Sequence, residues 1–180
     1  INGNYSTRER RLGGDVKTLR AEANISGSAG SSGRLHIKAR YYRSDRGLPG
    51  PVIYYIQDPV ERLGNSDASL SADYTASLSG RWRIRENLSG SWNGTRYTNA
   101  SSYLPEPEDD RYRQREFSSS TIIEYRASGK LRFTLAEDLF TSTLHATIPE
   151  CPQPSRLSSV SAISGQWKDE RTTITASLGA

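Results

Sequence analysis

Cys151, His36 and His145 carry the readiest nucleophilic or metal-binding chemistry in this chain. A catalytic thiol needs a base within hydrogen-bond reach, and a metal site needs several convergent ligands. Cys151 is the single cysteine and lies in the loop-like run Pro149-Glu150-Cys151-Pro152. No spacing brings either histidine to it, and one thiol cannot close an internal disulfide. A structural or incidental role is expected. The acidic cluster Glu106, Glu108, Asp109 and Asp110 offers oxygen ligands for a cation, but its spacing fits no calcium loop and reads as a solvated loop. There is no Gly-x-Gly-x-x-Gly, no phosphate-binding loop, no His-Glu-x-x-His and no Cys-x-x-Cys. An enzyme built on a barrel rim would need a Ser/His/Asp set or an acid pair, and none stands at a suggestive spacing. No catalytic residue, no metal site and no cofactor is therefore expected, and the chain does not read as an enzyme.

Composition narrows the remaining classes. Hydrophobic residues make up 34% of the chain and the mean hydropathy is −0.70, which is too polar to fill a large dry core. Yet the chain is rich in Tyr, Thr, Ser and Arg, unlike a charged disordered segment. A sheet with one apolar face and one wet face reconciles the two facts. The formal charge of +4 is spread along the chain without a block of like charges, so no nucleic-acid partner is expected. No run of about 18 apolar residues is present for a transmembrane helix, and the start Ile1-Asn2-Gly3-Asn4 is not that of a signal peptide.

What the sequence does carry is period-2 alternation, the mark of a strand whose successive side chains point to opposite faces. In Arg34–Arg43, Leu35, Ile37, Ala39 and Tyr41 fall on one face, and Arg34, His36, Lys38, Arg40 and Tyr42 on the other. Leu19–Ile25, Leu70–Leu78, Trp82–Leu88, Thr121–Ala127, Leu131–Leu135 and Ile174–Leu178 repeat the pattern, with Glu86 an exception in an apolar phase. Leu157–Trp167 shows it most weakly. The connections alternate in length. Ser28–Ser32, Ser79-Gly80, Ser128-Gly129 and Lys168–Arg171 are short, whereas Arg46–Ala68, Thr98–Arg111 and Thr147–Arg156 are long.

The expected fold is an all-β, antiparallel up-and-down meander of about eight long strands, part of a transmembrane β-barrel. Residues 1–16 read as a loop or strand end, followed by four hairpins at 17–46, 68–97, 112–146 and 157–180 in one domain. In such a barrel every second connection lies on one side, with short periplasmic turns and longer extracellular loops. Tyr and Trp near the strand ends, among them Tyr41, Tyr54, Trp82, Trp92, Tyr97 and Tyr112, fit interfacial girdles. Arg20, Arg34, Lys38, Arg40, Arg83, Arg85, Arg126 and Arg132 share the face opposite the apolar residues. They would line a lumen in a barrel or a solvent face in a soluble sheet. The loop alternation favours the barrel.

The run Arg34-Leu-His-Ile-Lys-Ala-Arg-Tyr-Tyr-Arg-Ser-Asp-Arg-Gly-Leu-Pro-Gly50, the run Ser91-Trp-Asn-Gly-Thr-Arg-Tyr-Thr-Asn99 and the hairpin rhythm resemble the barrel domain of TonB-dependent outer-membrane receptors. The resemblance implies an outer-membrane location, lipid as a partner, and capture of a scarce nutrient such as a siderophore, cobalamin or glycan. Import would be driven by an inner-membrane energy-coupling protein. No plug segment, TonB-box-like start or terminal aromatic is visible, and barrels of this class have about 22 strands. The chain is accordingly expected to be an internal barrel fragment. In a receptor of this kind the ligand contacts are expected from loop-side bases and aromatics: Arg43, Arg46, Tyr54, Tyr55, Tyr97 and Tyr103. The alternative is a soluble β-sandwich or adhesin-like binding module.

Overall fold

A computed structural model describes residues 13–48, 60–101 and 104–180, and the main chain of 2–8. Nine strands form one antiparallel sheet in sequence order. They are β1 (Asn2–Arg8), β2 (Val16–Ala29), β3 (Gly33–Gly47), β4 (Glu61–Ser77), β5 (Trp82–Asn99), β6 (Glu108–Arg126), β7 (Leu131–Ala146), β8 (Ser155–Lys168) and β9 (Thr173–Gly179). The meander and its alternating connections agree with the sequence reading. Two details differ. Residues 2–8, read as a loop or strand end, form β1 paired with β2 from Asn2↔Glu22 to Arg8↔Val16. The long connections are also tighter than expected, because β5 runs on to Asn99 and β6 begins at Glu108. The acidic residues 108–110 are therefore strand, and not loop.

Two short turns share one construction. The Ser79 hydroxyl accepts from the amides of Arg81 and Trp82 at 3.2 and 3.3 Å. The Ser128 hydroxyl accepts from Lys130 and Leu131 at 3.2 and 3.1 Å. Each thereby satisfies amides that the ladder leaves over. In the β2–β3 turn Gly30 takes a φ of 72°, a conformation open to glycine at no steric cost. Lys130 and Asp169 join two neighbouring short turns at 2.7 Å. That pairing, with the Glu170 amide, holds the Asp169 carboxyl below its usual range.

Register sorts every strand into two faces. Ile25↔Ile37, Ile37↔Ala72, Ala72↔Leu88 and Leu35↔Tyr74 align across β2–β5. Ile84↔Ile123, Ile123↔Leu135, Leu135↔Ile163 and Ile163↔Leu178 continue the same face to β9. The three tryptophans of the chain, Trp82, Trp92 and Trp167, all belong to it. Trp82 stacks at 4.5 Å on Tyr125 near the short-turn rim. Trp92 shares a row with Tyr41 and Ala68 toward the long-loop rim.

This apolar face covers no core. Ile25 is 67% exposed, Leu178 75% and Trp92 51%, and among the described residues Ala76 and Ala146 are the buried apolar ones. No second layer of described residues packs against it. A sheet that leaves isoleucine, leucine and tryptophan open from β2 to β9 has not completed the burial that stabilises a globular domain. β6, with 19 residues, spans roughly 60 Å at about 3.3 Å per residue. That exceeds the roughly 25 Å apolar band of a membrane barrel, so its ends stand clear of such a band.

Candidate functional site

The face opposite the apolar one is lined by hydroxyls, amides and ion pairs. The eight basic residues assigned to it from alternation are all found there, by register. Acids partner more of them than their strand composition leads one to expect. Glu22 lies 3.2 Å from Lys38, 3.5 Å from Arg20 and 3.7 Å from Arg40, and Arg85 pairs with Glu124. His36 stands 3.7 Å from Asp73, which also accepts from Asn87. Ser89 bonds Ser118 at 2.7 Å, and Ser91 donates to Glu116 at 3.2 Å. Such a surface binds water or polar ligands through many moderate hydrogen bonds.

At the long-loop rim of this polar face, Val16, Arg46, Leu63, Tyr97 and Asp110 form one cross-strand row. Two of the expected ligand-contact residues, Arg46 and Tyr97, are thus brought within one row from β3 and β5. Below them Ser44, Asn65 and Thr95 are linked by hydrogen bonds of 3.4 and 3.2 Å. Arg43 stands on the other face, opposite Leu19 and Ser66. Tyr54, Tyr55 and Tyr103 lie outside the described residues.

The apolar face has its own site at the same rim. A groove of about 460 Å³ is lined by Arg43, Asp45, Arg62, Arg96, Arg111 and Arg113, among others. Arg62 donates to Asp45 at 2.8 Å and to both oxygens of Asp15 at 3.2 and 3.1 Å. That bond and the positive charge of Arg62 outweigh the modest desolvation of Asp15, which lies just outside β2, and keep its carboxyl below the usual range. Asp109 receives the guanidinium groups of Arg96, at 2.7 and 2.9 Å, and Arg111, at 3.1 and 2.6 Å. Bidentate pairing of this kind orients both partners. The sequence carried a signal for this groove: Arg111, Arg113 and Arg115 fall in phase with Phe117, so the apolar phase of β6 becomes cationic toward its start.

Within the apolar band two carboxylates interrupt the pattern. Glu86 accepts from Ser119 at 2.8 Å and from Thr121, and Glu137 accepts from Ser159 and Ser161. The register sets Glu86, Thr121, Glu137 and Ser161 in one row. The exception noted at Glu86 is thus a repeated device, an acid between two hydroxyls of the next strand, on alternate strands.

The residues with catalytic chemistry do not converge. The Cys151 thiol contacts the Pro152 carbonyl at 3.7 Å, and the His145 Nδ1 lies 2.7 Å from Gln153 Oε1. Glu108 and Asp110 face away from Asp109. Among the described residues no group of three His, Cys, Asp or Glu side chains is placed to hold a metal.

No protein-family model matches the sequence, and no curated protein matches it. Among solved structures the chain is similar to the copper transporter OprC, with a TM-score of 0.58 over 92% of this chain at 11% identity. The chain spans 31% of that protein's length. At that identity the likeness is one of fold: a nine-stranded meander that superposes on part of a transporter's architecture.

Proposed function

We propose that the chain is a segment of a TonB-dependent outer-membrane receptor that binds a scarce nutrient, such as a siderophore, cobalamin or glycan, and imports it. The observation that carries this is the two-faced sheet. Its apolar face is exposed from β2 to β9, and its opposite face is hydroxylated and charged. In a barrel, lipid covers the first and water the second, which removes the cost that an aqueous setting puts on Ile25, Trp92 and Leu178. The long connections then share the extracellular rim. Arg46 and Tyr97, together with Tyr54, Tyr55 and Tyr103 outside the described residues, are the proposed ligand contacts, and Arg43 stands on the lipid side of the sheet from Arg46 and Tyr97. An inner-membrane energy-coupling protein is the proposed partner in import. The likeness of fold to a transporter barrel supports this reading.

The test is ligand uptake by cells that carry Arg46→Ala and Tyr97→Ala in the full-length chain, with assembly followed by heat-modifiable gel migration. The expected result is normal assembly with impaired uptake. Full uptake by the double variant would remove these residues from the ligand site. A chain that stays monomeric in water without detergent would instead indicate a soluble binding module.

A further inference from the structure

The apolar face is not symmetric from end to end. From its short-turn rim to the row of Leu70, Gly90 and Phe117 it carries no Lys or Arg among the described residues, and its charges there are Glu86 and Glu137. Beyond that row the character reverses. Arg115 shares a row with Trp92, and Arg43 and Arg113 fall in the next. Lys17, Arg96 and Arg111 follow, then Arg62. Among the described residues the acids on this face at this end are Asp45, Asp15 and Asp109, and they are taken up by Arg62, Arg96 and Arg111. Arg43, Arg113 and Arg115 are exposed and make no ion pair among the described residues. Their charge is therefore free for an external anion. The groove of about 460 Å³ is lined by Arg43 and Arg113, and a second one of about 210 Å³ places Arg115 beside Trp92 and Phe117.

We infer that this cationic end of the apolar face is a docking surface for the phosphorylated headgroup of an outer-leaflet glycolipid. The inference rests on the membrane reading given above and extends it to a specific lipid chemistry. Three features favour a lipid over a free anion. The arginines continue an apolar band, so acyl chains would lie along Leu70, Phe117 and Trp92 while phosphates meet the guanidinium groups. They are confined to the rim that holds the long connections, which in a membrane barrel is the extracellular one. Guanidinium groups also take phosphate oxygens bidentately, and basic residues beside an apolar surface are the usual reader of anionic headgroups.

The experiment uses the full-length protein in zwitterionic detergent. The probes are a bis-phosphorylated acylated glucosamine disaccharide, its dephosphorylated form, and inorganic phosphate, each titrated while the thermal midpoint is followed. The phosphorylated lipid is expected to raise the midpoint, with the dephosphorylated lipid and free phosphate far weaker. Arg113→Gln with Arg115→Gln is expected to weaken the apparent lipid affinity roughly thirtyfold, at about a kilocalorie per basic residue. The Arg113→Lys, Arg115→Lys pair retains the charge without the bidentate geometry, so its affinity should fall between those of the native protein and the Gln pair, which separates lost charge from misfolding. An equal response to inorganic phosphate, an equal response to the dephosphorylated lipid, or an unchanged affinity in the Gln pair would each overturn the proposal. Those failures leave a protein that still needs detergent. A protein that stays dispersed without any detergent would overturn the membrane reading itself.

Discussion

Gly47 lies against Gly13 so closely that a Cβ built on Gly47 would stand 1.9 Å from the Gly13 carbonyl oxygen. The Gly47 amide donates to the main-chain carbonyl of Asp15 at 2.9 Å in the same contact. The start of the β3–β4 connection is thereby seated on the β1–β2 connection, beside the Arg62 clamp on Asp15 and Asp45. Gly47→Ala has no room for its methyl group, since the blocking atoms are backbone. A destabilisation of about 1–3 kcal/mol is expected, read as earlier proteolytic cleavage at the long-loop rim with the short-turn rim unchanged. Equal cleavage in both proteins would show that the contact does not secure the rim.

The Asp15–Arg62 pair sets the acid sensitivity of this corner. A carboxyl held below its unfolded value, here 3.8, contributes stability that is fully present above that value and is lost as pH falls through the lower folded value. Cleavage at the rim should stay flat from neutral pH down to about pH 5 and rise only below the unfolded value. Arg62→Leu should make the rim more cleavable at neutral pH and shrink the acid-induced rise, leaving the part that belongs to Asp109 with Arg96 and Arg111. A carboxyl carbon titration placing Asp15 at or above the unfolded value would contradict the clamp.

Much of this architecture is written in local residue pattern, and part of it is not. Strand parity is legible because a one-residue slip would turn Leu35, Ile37 and Ala39 onto the arginine face. β1 was not legible as a strand because Asn-Gly-Asn-Tyr-Ser-Thr-Arg has no apolar alternation. Its place comes from pairing with β2. The arginine groove was only half legible. Arg111, Arg113 and Arg115 betray their face by phase, but Arg62 meets Asp15 across 47 residues of chain, a contact that spacing does not encode. Arg43 and Arg46 are both expected among the loop-side ligand contacts, whereas three positions along a strand place them on opposite faces.

Glu86 and Glu137 offer a test of what the apolar face meets. A carboxylate facing lipid is unfavourable, though less so than Lys or Arg at the same depth. Glu86→Gln with Glu137→Gln removes both charges and keeps one acceptor oxygen at each site, while the amide NH2 can donate to the second hydroxyl. The expected outcome is a raised thermal midpoint in detergent micelles or bilayers. A lowered midpoint there would mean that the ionised acids are stabilising and that this stretch faces water or a charged partner.

The most direct measurement is a nitroxide scan through 68–76 on β4 in lipid bilayers, with Cys151 replaced by Ser. Ala68, Leu70, Ala72, Tyr74 and Ala76 share the apolar face, and Ser69, Ser71, Asp73 and Thr75 the polar one. Labels at the even positions should be relaxed by oxygen, which dissolves in lipid, and those at the odd positions by a water-soluble nickel chelate. Chelate access at Leu70 and Ala72, or protection of those positions from both reagents, would contradict the account.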